Sequence, residues 1–301
     1  MHAAVLRYFR EVARQGSIRR AAAALNVAAS AVNRQLLKLE GELGAPVFDR
    51  LPGRMRLTLA GEILLRHVDE TLSDFERVRA EIDDLRGVRT GHIQIAAVDS
   101  LLVEFLPNAI ELFRADFPAV TYSVLAVSPA DIPHEVAAGR VDLGFTFVSQ
   151  PPAGTQFMAS ITAPIGVVMH ARHPLARRRQ IGFDEARLYP ILAQKGPLPK
   201  SADVDPAFAA FRESVQPKLV SNAIQTLKQA IRRNMGIAFF TRLGFLQEIE
   251  EGEIAWRPFA SRRINTLKLG LILPTGRKLP FVALMLADRL ATALKALERP
   301  G

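Results

Sequence analysis

The sequence predicts an α/β protein: an N-terminal all-α winged helix-turn-helix, then a larger C-terminal domain of two Rossmann-like α/β subdomains. Three observations predict it. Helical patterning early in the chain breaks at Asn26-Val27, a proline-free apolar stripe follows, and from about residue 92 short apolar runs alternate with amphipathic helices. The expected boundaries are 1–61, a linker helix at 62–87, and 88–301, with one subdomain at about 92–161 plus 268–301 and the other at about 162–267.

In "AAALNVAASAVNRQLLKLE" (22–40), alanines, leucines and long polar residues favour helix throughout except at Asn26-Val27, which predicts two helices joined by a tight turn. Ser17 is placed to cap the first, its hydroxyl accepting a free backbone N–H, and Ala21, Ala22 and Leu25 give that helix a small packing face. The second runs from about Ala29 to Leu43, burying Val32, Leu36 and Leu39 and leaving Asn33, Arg34, Gln35 and Lys38 outside. Asn, Gln and Arg match the adenine and guanine edges of a DNA major groove. Alone, such a face reads as ordinary solvated surface. The next stretch, "GAPVFDRLPGRMRLTLAGE", shifts the balance. Arg54, Arg56 and Thr58 alternate with Met55, Leu57 and Leu59, predicting a two-stranded wing whose basic side chains reach phosphates beside the groove. Residues 1–61 hold ten Lys and Arg against four Asp and Glu.

The stretch "LRYFREVARQGSIRRAAAALNVAASAVNRQLLKLEGELGAPVFDRLPGRMRLTLAG" resembles the winged helix-turn-helix of the LysR-type transcriptional regulators. The resemblance rests on Phe9, Gly16-Ser17, Ala21-Ala22, Leu25, Ala31-Val32, Leu39-Glu40, Leu43-Gly44, Phe48, Arg50, Leu57-Thr58 and Ala60-Gly61. The chain departs from the pattern at Ala28 and Ala29, where the family often has Ser or Thr followed by Gln, and at Asn33, where it has Ser or Thr. Alanines offer only methyl contacts to thymine. The expected DNA-contacting set is Ser30, Asn33, Arg34, Gln35, Lys38, Arg50, Arg54 and Arg56.

From about residue 60 to 86, Leu64, Val68, Leu72, Phe75, Val78, Ile82 and Leu85 recur at steps of three and four. An isolated stripe fits a core within the chain and a partner helix equally. Its place between two domains and the family resemblance favour a dimerising linker. A dimer presents two reading helices to an imperfect inverted repeat.

Gly87 and Gly91 mark the helix end, and the β/α alternation beyond them argues for a parallel sheet. The resemblance continues in "LPNAIELFRADFPAVTYSV", "HEVAAGRVDLGF", "HPLA" and "IRRNMGIAFFT", and implies a fold like that of periplasmic binding proteins. The chain would cross between subdomains near 161–165 and 264–268, with a ligand in the cleft. Ligands of open α/β sheets sit beyond the strands' carboxyl ends. Asp99-Ser100, Ser128 and Ser221-Asn222 each follow a predicted strand there. The expected ligand-contacting set is Ser100, Leu101, Ser128, Thr146, Phe147, Ser201, Asn222 and Thr241. The resemblance implies contacts near Ser100, Ser128, Thr146 and Ser201. Singly, a Ser or Asn at a helix start is more often a cap; convergence on one cleft favours function. Helix-end N–H donors suit an anionic small molecule such as a carboxylate, and Asp99 opposes one locally.

The chain has no cysteine, which excludes disulfides, thiolate metal sites and thiol switches and fits a reducing cytoplasm. There is no Gly-x-Ser-x-Gly elbow, phosphate-binding loop or Gly-x-Gly-x-x-Gly after a strand, so no catalytic residue is expected and the chain reads as a non-enzyme. His170 and His173 are too few for a metal site, and no metal is expected. Arg172, Arg177, Arg178 and Arg179 read as a solvated loop. A formal charge of +9 favours polyanionic partners, and no uncharged apolar run nears the roughly 20 residues that span a bilayer. The reading is a cytoplasmic DNA-binding regulator with no cofactor beyond a small-molecule co-inducer. Its expected partners are double-stranded DNA, RNA polymerase, that effector and further copies in a homodimer or homotetramer. The alternative is a small-molecule-binding protein or enzyme whose N-terminal helices serve only assembly; the alternating arginines of the wing argue against it.

Overall fold

Helices α1 (Ala3–Gln15), α2 (Ile18–Ala24) and α3 (Ala29–Leu43) open the chain in a computed structural model that describes residues 3–51, 54–85, 90–148, 150–195 and 205–298. Ser17 caps α2 with a hydroxyl that accepts from the Arg20 amide. Asn26, at φ 56°, supplies the left-handed residue that turns the chain into α3. Val32, Leu36 and Leu39 are buried on α3 and pack with Phe9 and Val12 of α1 and the Ala21-Ala22 pair. Strands β1 (Phe48–Leu51) and β2 (Arg54–Leu57) pair antiparallel, with Asp49 opposite Arg56 and Arg50 opposite Met55.

Helix α4 (Leu59–Leu85) starts behind this wing. Its cap, Thr58, accepts from the Gly61 amide at 3.0 Å and donates to the Pro46 carbonyl at 2.8 Å. Gly61 is obligatory here: a Cβ would lie 2.1 Å from the Val47 carbonyl oxygen. The apolar stripe of α4 divides. Val68 and Leu72 are buried in the N-terminal core beside Leu64 and Leu65, whereas Phe75, Val78 and Ile82 are 46%, 52% and 47% exposed. The side chain of Leu85 and the residue Gly87 lie outside the described residues. The chain divides into two compact units, Met1–Ile82 and Asp83–Gly301.

The second unit contains two sheets. In chain order its elements are β3 (Gly91–Ala97), α5 (Asp99–Leu102), α6 (Phe105–Asp116), β4 (Val120–Ala126), α7 (Ile132–Ala137), β5 (Leu143–Phe147) and β6 (Thr155–Thr162). There follow β7 (Ile165–His170), α8 (Phe183–Ala186), β8 (Leu192–Gln194), α9 (Pro206–Ser214), β9 (Leu219–Ser221), α10 (Ile224–Arg232) and β10 (Ala238–Thr241). The chain closes with α11 (Leu246–Glu250), β11 (Ile254–Pro258), β12 (Lys268–Pro274) and α12 (Phe281–Ala296). The first sheet has the order β4-β3-β5-β12-β6. In the second, β9-β8 joins β10-β7-β11 through a parallel bridge between Ile191 and Ile237.

The two orders correspond strand for strand. In each, three strands run parallel, and then one strand pairs antiparallel on both sides: β12 in the first sheet, β7 in the second. The expected parallel sheet is therefore corrected to a mixed one, for a topological reason. β7 and β12 are the strands that enter from the other subdomain, at 163–164 and 259–267, without the crossover helix that makes consecutive strands parallel. Sheet one packs on α12 through Leu286, Leu290 and Leu294. Sheet two covers an aromatic cluster of Phe183, Phe208, Phe211, Phe239 and Phe259, with ring centroids 5.0–6.4 Å apart.

Candidate nucleic-acid interface and ligand cleft

On α3 the buried stripe at Val32, Leu36 and Leu39 leaves Ser30, Arg34, Gln35 and Lys38 exposed, and Asn33 partly so. Lys38 lies 3.8 Å from Glu42, one turn on. Glu40 and Asn33 tie the wing to this helix. Glu40 accepts from the amides of Val47 (2.9 Å) and Phe48 (3.4 Å), and its other oxygen lies 3.7 Å from Arg50. Arg50 in turn donates to the Asn33 side-chain oxygen at 3.3 Å. The Met55 amide donates to Gly16 O at 2.8 Å and fastens β2 to the turn before α2. Arg54 and Arg56 are exposed and alternate with the partly buried Met55 and Leu57. All eight side chains expected at DNA therefore come from one helix and the hairpin joined to it. Two of them, Asn33 and Arg50, are already engaged with each other.

The second unit holds a cavity of about 470 Å³ between its two sheets, within the ~300–1,000 Å³ range of small-molecule sites. It opens at the carboxyl ends of β3, β4, β5, β8 and β10. Ser100, Ser128, Phe147, Asn222 and Thr241 of the expected set line it. Leu101 and Thr146 do not. Leu101 is fully buried in the first subdomain's core, because its neighbour Ser100 takes the cavity-facing position on α5, and the Thr146 hydroxyl donates to Pro129 O at 2.7 Å beneath the wall. Ser201 lies outside the described residues. The local-cap explanation holds for Ser221, whose hydroxyl accepts from the Ala223 amide at 3.1 Å. It does not hold for Ser128 or Thr241: both hydroxyl oxygens are buried without a hydrogen-bond partner.

Three polar lining residues, Gln194, Lys195 and Arg212, belong to no site read from the sequence. Gln194, ending β8, donates to the carboxylate of Asp99 on the opposite subdomain. Burial pushes the Asp99 carboxyl above its ordinary range, and that hydrogen bond pulls it back. Arg212 on α9 is the third. The signal for it lay in "DPAFAAFRESV", where Phe208, Arg212 and Val215 recur at steps of four and three and all face the cavity. Helix ends contribute less than expected, since α5 has only four residues. Among the described residues no group of acidic, His or Cys side chains is arranged to hold a metal ion. His170 accepts from the Arg172 amide and His173 from the Leu175 amide, both within their own turn. In the arginine run, Arg178 pairs with Glu185 at 2.8 Å, and Arg172, Arg177 and Arg179 are exposed.

Residues 4–62 match the model of the bacterial regulatory helix-turn-helix protein, lysR family, and residues 86–295 match the LysR substrate binding domain. A probable RuBisCO transcriptional regulator of Emiliania huxleyi is 26% identical over 257 residues, spanning 83% of this chain and 82% of that protein. The HTH-type transcriptional regulator CysB of Burkholderia cenocepacia is 28% identical over 255 residues, 82% and 80% of the two chains. In fold, the chain is similar to the crystal structure of CbnR, a LysR family transcriptional regulator, with a TM-score of 0.69 at 17% identity over 98% of this chain and 99% of that one. Full-length CbnR complexed with its target DNA gives 0.68 at 18% identity over 97% and 100%.

Proposed function

The chain belongs to the LysR family of transcriptional regulators, and from that premise we propose that it binds an imperfect inverted repeat in a promoter under the control of a small molecule held in the C-terminal cleft. The exposed row Ser30, Arg34, Gln35 and Lys38 on α3, with the wing arginines tied alongside through Glu40, carries the DNA half of the reading. α3 reads bases in the major groove while Arg54 and Arg56 hold phosphates. Phe75, Val78 and Ile82, half-exposed at steps of three and four, support a dimer formed through α4, and a homotetramer follows if the C-terminal units also pair.

The unpartnered hydroxyls of Ser128 and Thr241 support the effector half. A ligand spanning both sheets binds one arrangement of the subdomains better than another, and that difference in affinity shifts DNA binding or contact with RNA polymerase. The match to a DNA-binding regulator supports a cytoplasmic location, and among the described residues no helix is long and apolar enough to cross a membrane. The family is one of regulators, and we read the chain as a non-enzyme that needs no cofactor apart from its effector.

Fluorescence anisotropy of the full-length protein on DNA upstream of its own gene, against scrambled DNA over a salt series, tests the DNA half. Preferential binding with a steep salt slope is expected. Equal, weak binding to both fragments overturns site-specific recognition of that promoter.

A further inference from the structure

We propose that the cleft ligand is an organic carboxylate with an apolar, ring-sized body, and that Arg212 is the cation that selects it. The proposal rests on the reading of this cleft as the effector site and names the ligand's chemistry.

Arg212 sits one helical turn from Phe208 and just before Val215, and all three line the cavity. It is partly buried, and it forms no hydrogen bond or ion pair with any described residue. Burial alone depresses its pKa, with no carboxylate opposing the shift. A guanidinium does not escape this by losing its proton, so Arg212 is a partly desolvated cation with no carboxylate partner among the described residues. Buried cations are ordinarily paired. Among the described residues of the cavity wall the one carboxylate, Asp99, is engaged by Gln194. An anion from solution supplies the partner that the described wall lacks, and the planar fork of Arg212 suits the two oxygens of a carboxylate.

The rest of the wall describes the body of that anion. Phe208 and Val215 flank Arg212, and Phe147, Ile165 and Phe239 complete an apolar lining from both sheets. Rings of this kind pack a flat or branched hydrocarbon group. The hydroxyl of Thr241, itself 3% exposed and unpartnered, and that of Ser128 supply hydrogen bonds for one further polar substituent. Inorganic anions and acetate satisfy the cation and leave the apolar wall uncovered.

Calorimetric titration of the full-length protein with phenylacetate, phenylacetamide, phenethylamine and acetate tests this. These probes hold the body constant while the charge changes, then remove the body. In the native chain phenylacetate is expected to bind about tenfold or more tightly than phenylacetamide, with phenethylamine and acetate weaker still. Arg212→Gln should abolish the preference for phenylacetate over its amide, and Arg212→Lys should retain part of it. The native-chain comparison stands even if a variant fails to fold. Tighter binding of the amide or the amine overturns the carboxylate assignment and leaves the cleft standing as a small-molecule site. A preference that survives Arg212→Gln overturns the role of Arg212. No binding by any of the four at millimolar concentration overturns both the assignment and the effector reading beneath it.

Discussion

The proposed DNA-binding face draws its side chains from Ser30 to Arg56, on one helix and one hairpin, whereas the cleft gathers residues from Val98 to Thr241 off strands of two separate sheets. The first is a local object and the second a product of topology. Local objects tolerate side-chain changes on their exposed face without losing their frame. An assembled cleft depends on struts that hold the two sheets in register, some of them away from its wall. Substitution at a strut should therefore cost more than substitution on the exposed face.

Lys228 on α10 is 2% exposed, lies 2.6 Å from Glu248 and 3.6 Å from Glu104, and sits over the Phe245 ring. Glu104 belongs to the first subdomain, and Lys228 and Glu248 to the second, so the group spans the pair. Burial pushes the Glu104 carboxyl up, Lys228 pulls it down, and Glu248 raises it again. Lys228→Met leaves two carboxylates facing each other, and breaking a buried pair in this way costs about 3–5 kcal/mol. Trp256 is the only tryptophan, packs against the core cluster that holds Leu227 and Ile231 of α10 and donates to Phe240 O at 3.0 Å, so its fluorescence during urea unfolding reports the loss. An unchanged midpoint would mean that the subdomains need no such strut.

The matching test in the N-terminal unit is Gly61→Ala. Its added methyl meets the Val47 carbonyl at 2.1 Å, a backbone atom that moves only if the wing moves. About 3 kcal/mol of destabilisation is expected from overpacking at a rigid site, read by circular dichroism melting. DNA affinity should fall on every sequence tested, because the wing and α3 are displaced together. If affinity is retained, the hairpin is not part of the recognition frame.

A smaller and more selective effect is expected on the exposed face. Arg34→Ala removes an exposed side chain that makes no hydrogen bond or ion pair among the described residues. If Arg34 reads guanine, about 1–3 kcal/mol of specific binding is lost and preference relaxes at one base pair, with thermal stability unchanged. Anisotropy against single-base variants of the operator checks this, and uniform weakening would assign Arg34 to phosphate.

The same contrast explains what the sequence disclosed. The cap at Ser17, the left-handed turn at Asn26, the span Ala29–Leu43 and the burial of Val32, Leu36 and Leu39 are all set by neighbours within one or two helical turns, so periodicity and capping chemistry reveal them. Strand ends at Ser100, Ser128, Asn222 and Thr241 were legible because ligands gather beyond the carboxyl ends of strands. Leu101 and Thr146 misled because a strand-end position does not say which of two adjacent side chains faces the cavity. Arg212 had a spacing signal whose target showed only once α9 stood against the cavity, Gln194 became visible only once β8 faced β3, and the antiparallel strands β7 and β12 only once the crossovers were traced.

The smallest effect expected is also the most diagnostic of the cleft. Asp99 has a carboxyl that burial pushes above its unfolded value, so folding favours its protonated form. Its contribution is fully present below the unfolded pKa and is lost as pH rises through the folded one, and at neutral pH the folded chain carries a carboxylate it would hold more easily as a neutral group. Asp99→Asn keeps an oxygen to accept from Gln194 and removes the charge. The variant should be slightly more stable than the native chain at neutral pH, with the advantage vanishing as pH falls into the ordinary carboxylate range. Trp256-detected unfolding at neutral and acidic pH measures it. A variant less stable at neutral pH would show that the charged hydrogen bond to Gln194 outweighs the burial of Asp99, and that the unliganded subdomains are held together across the cleft by that contact.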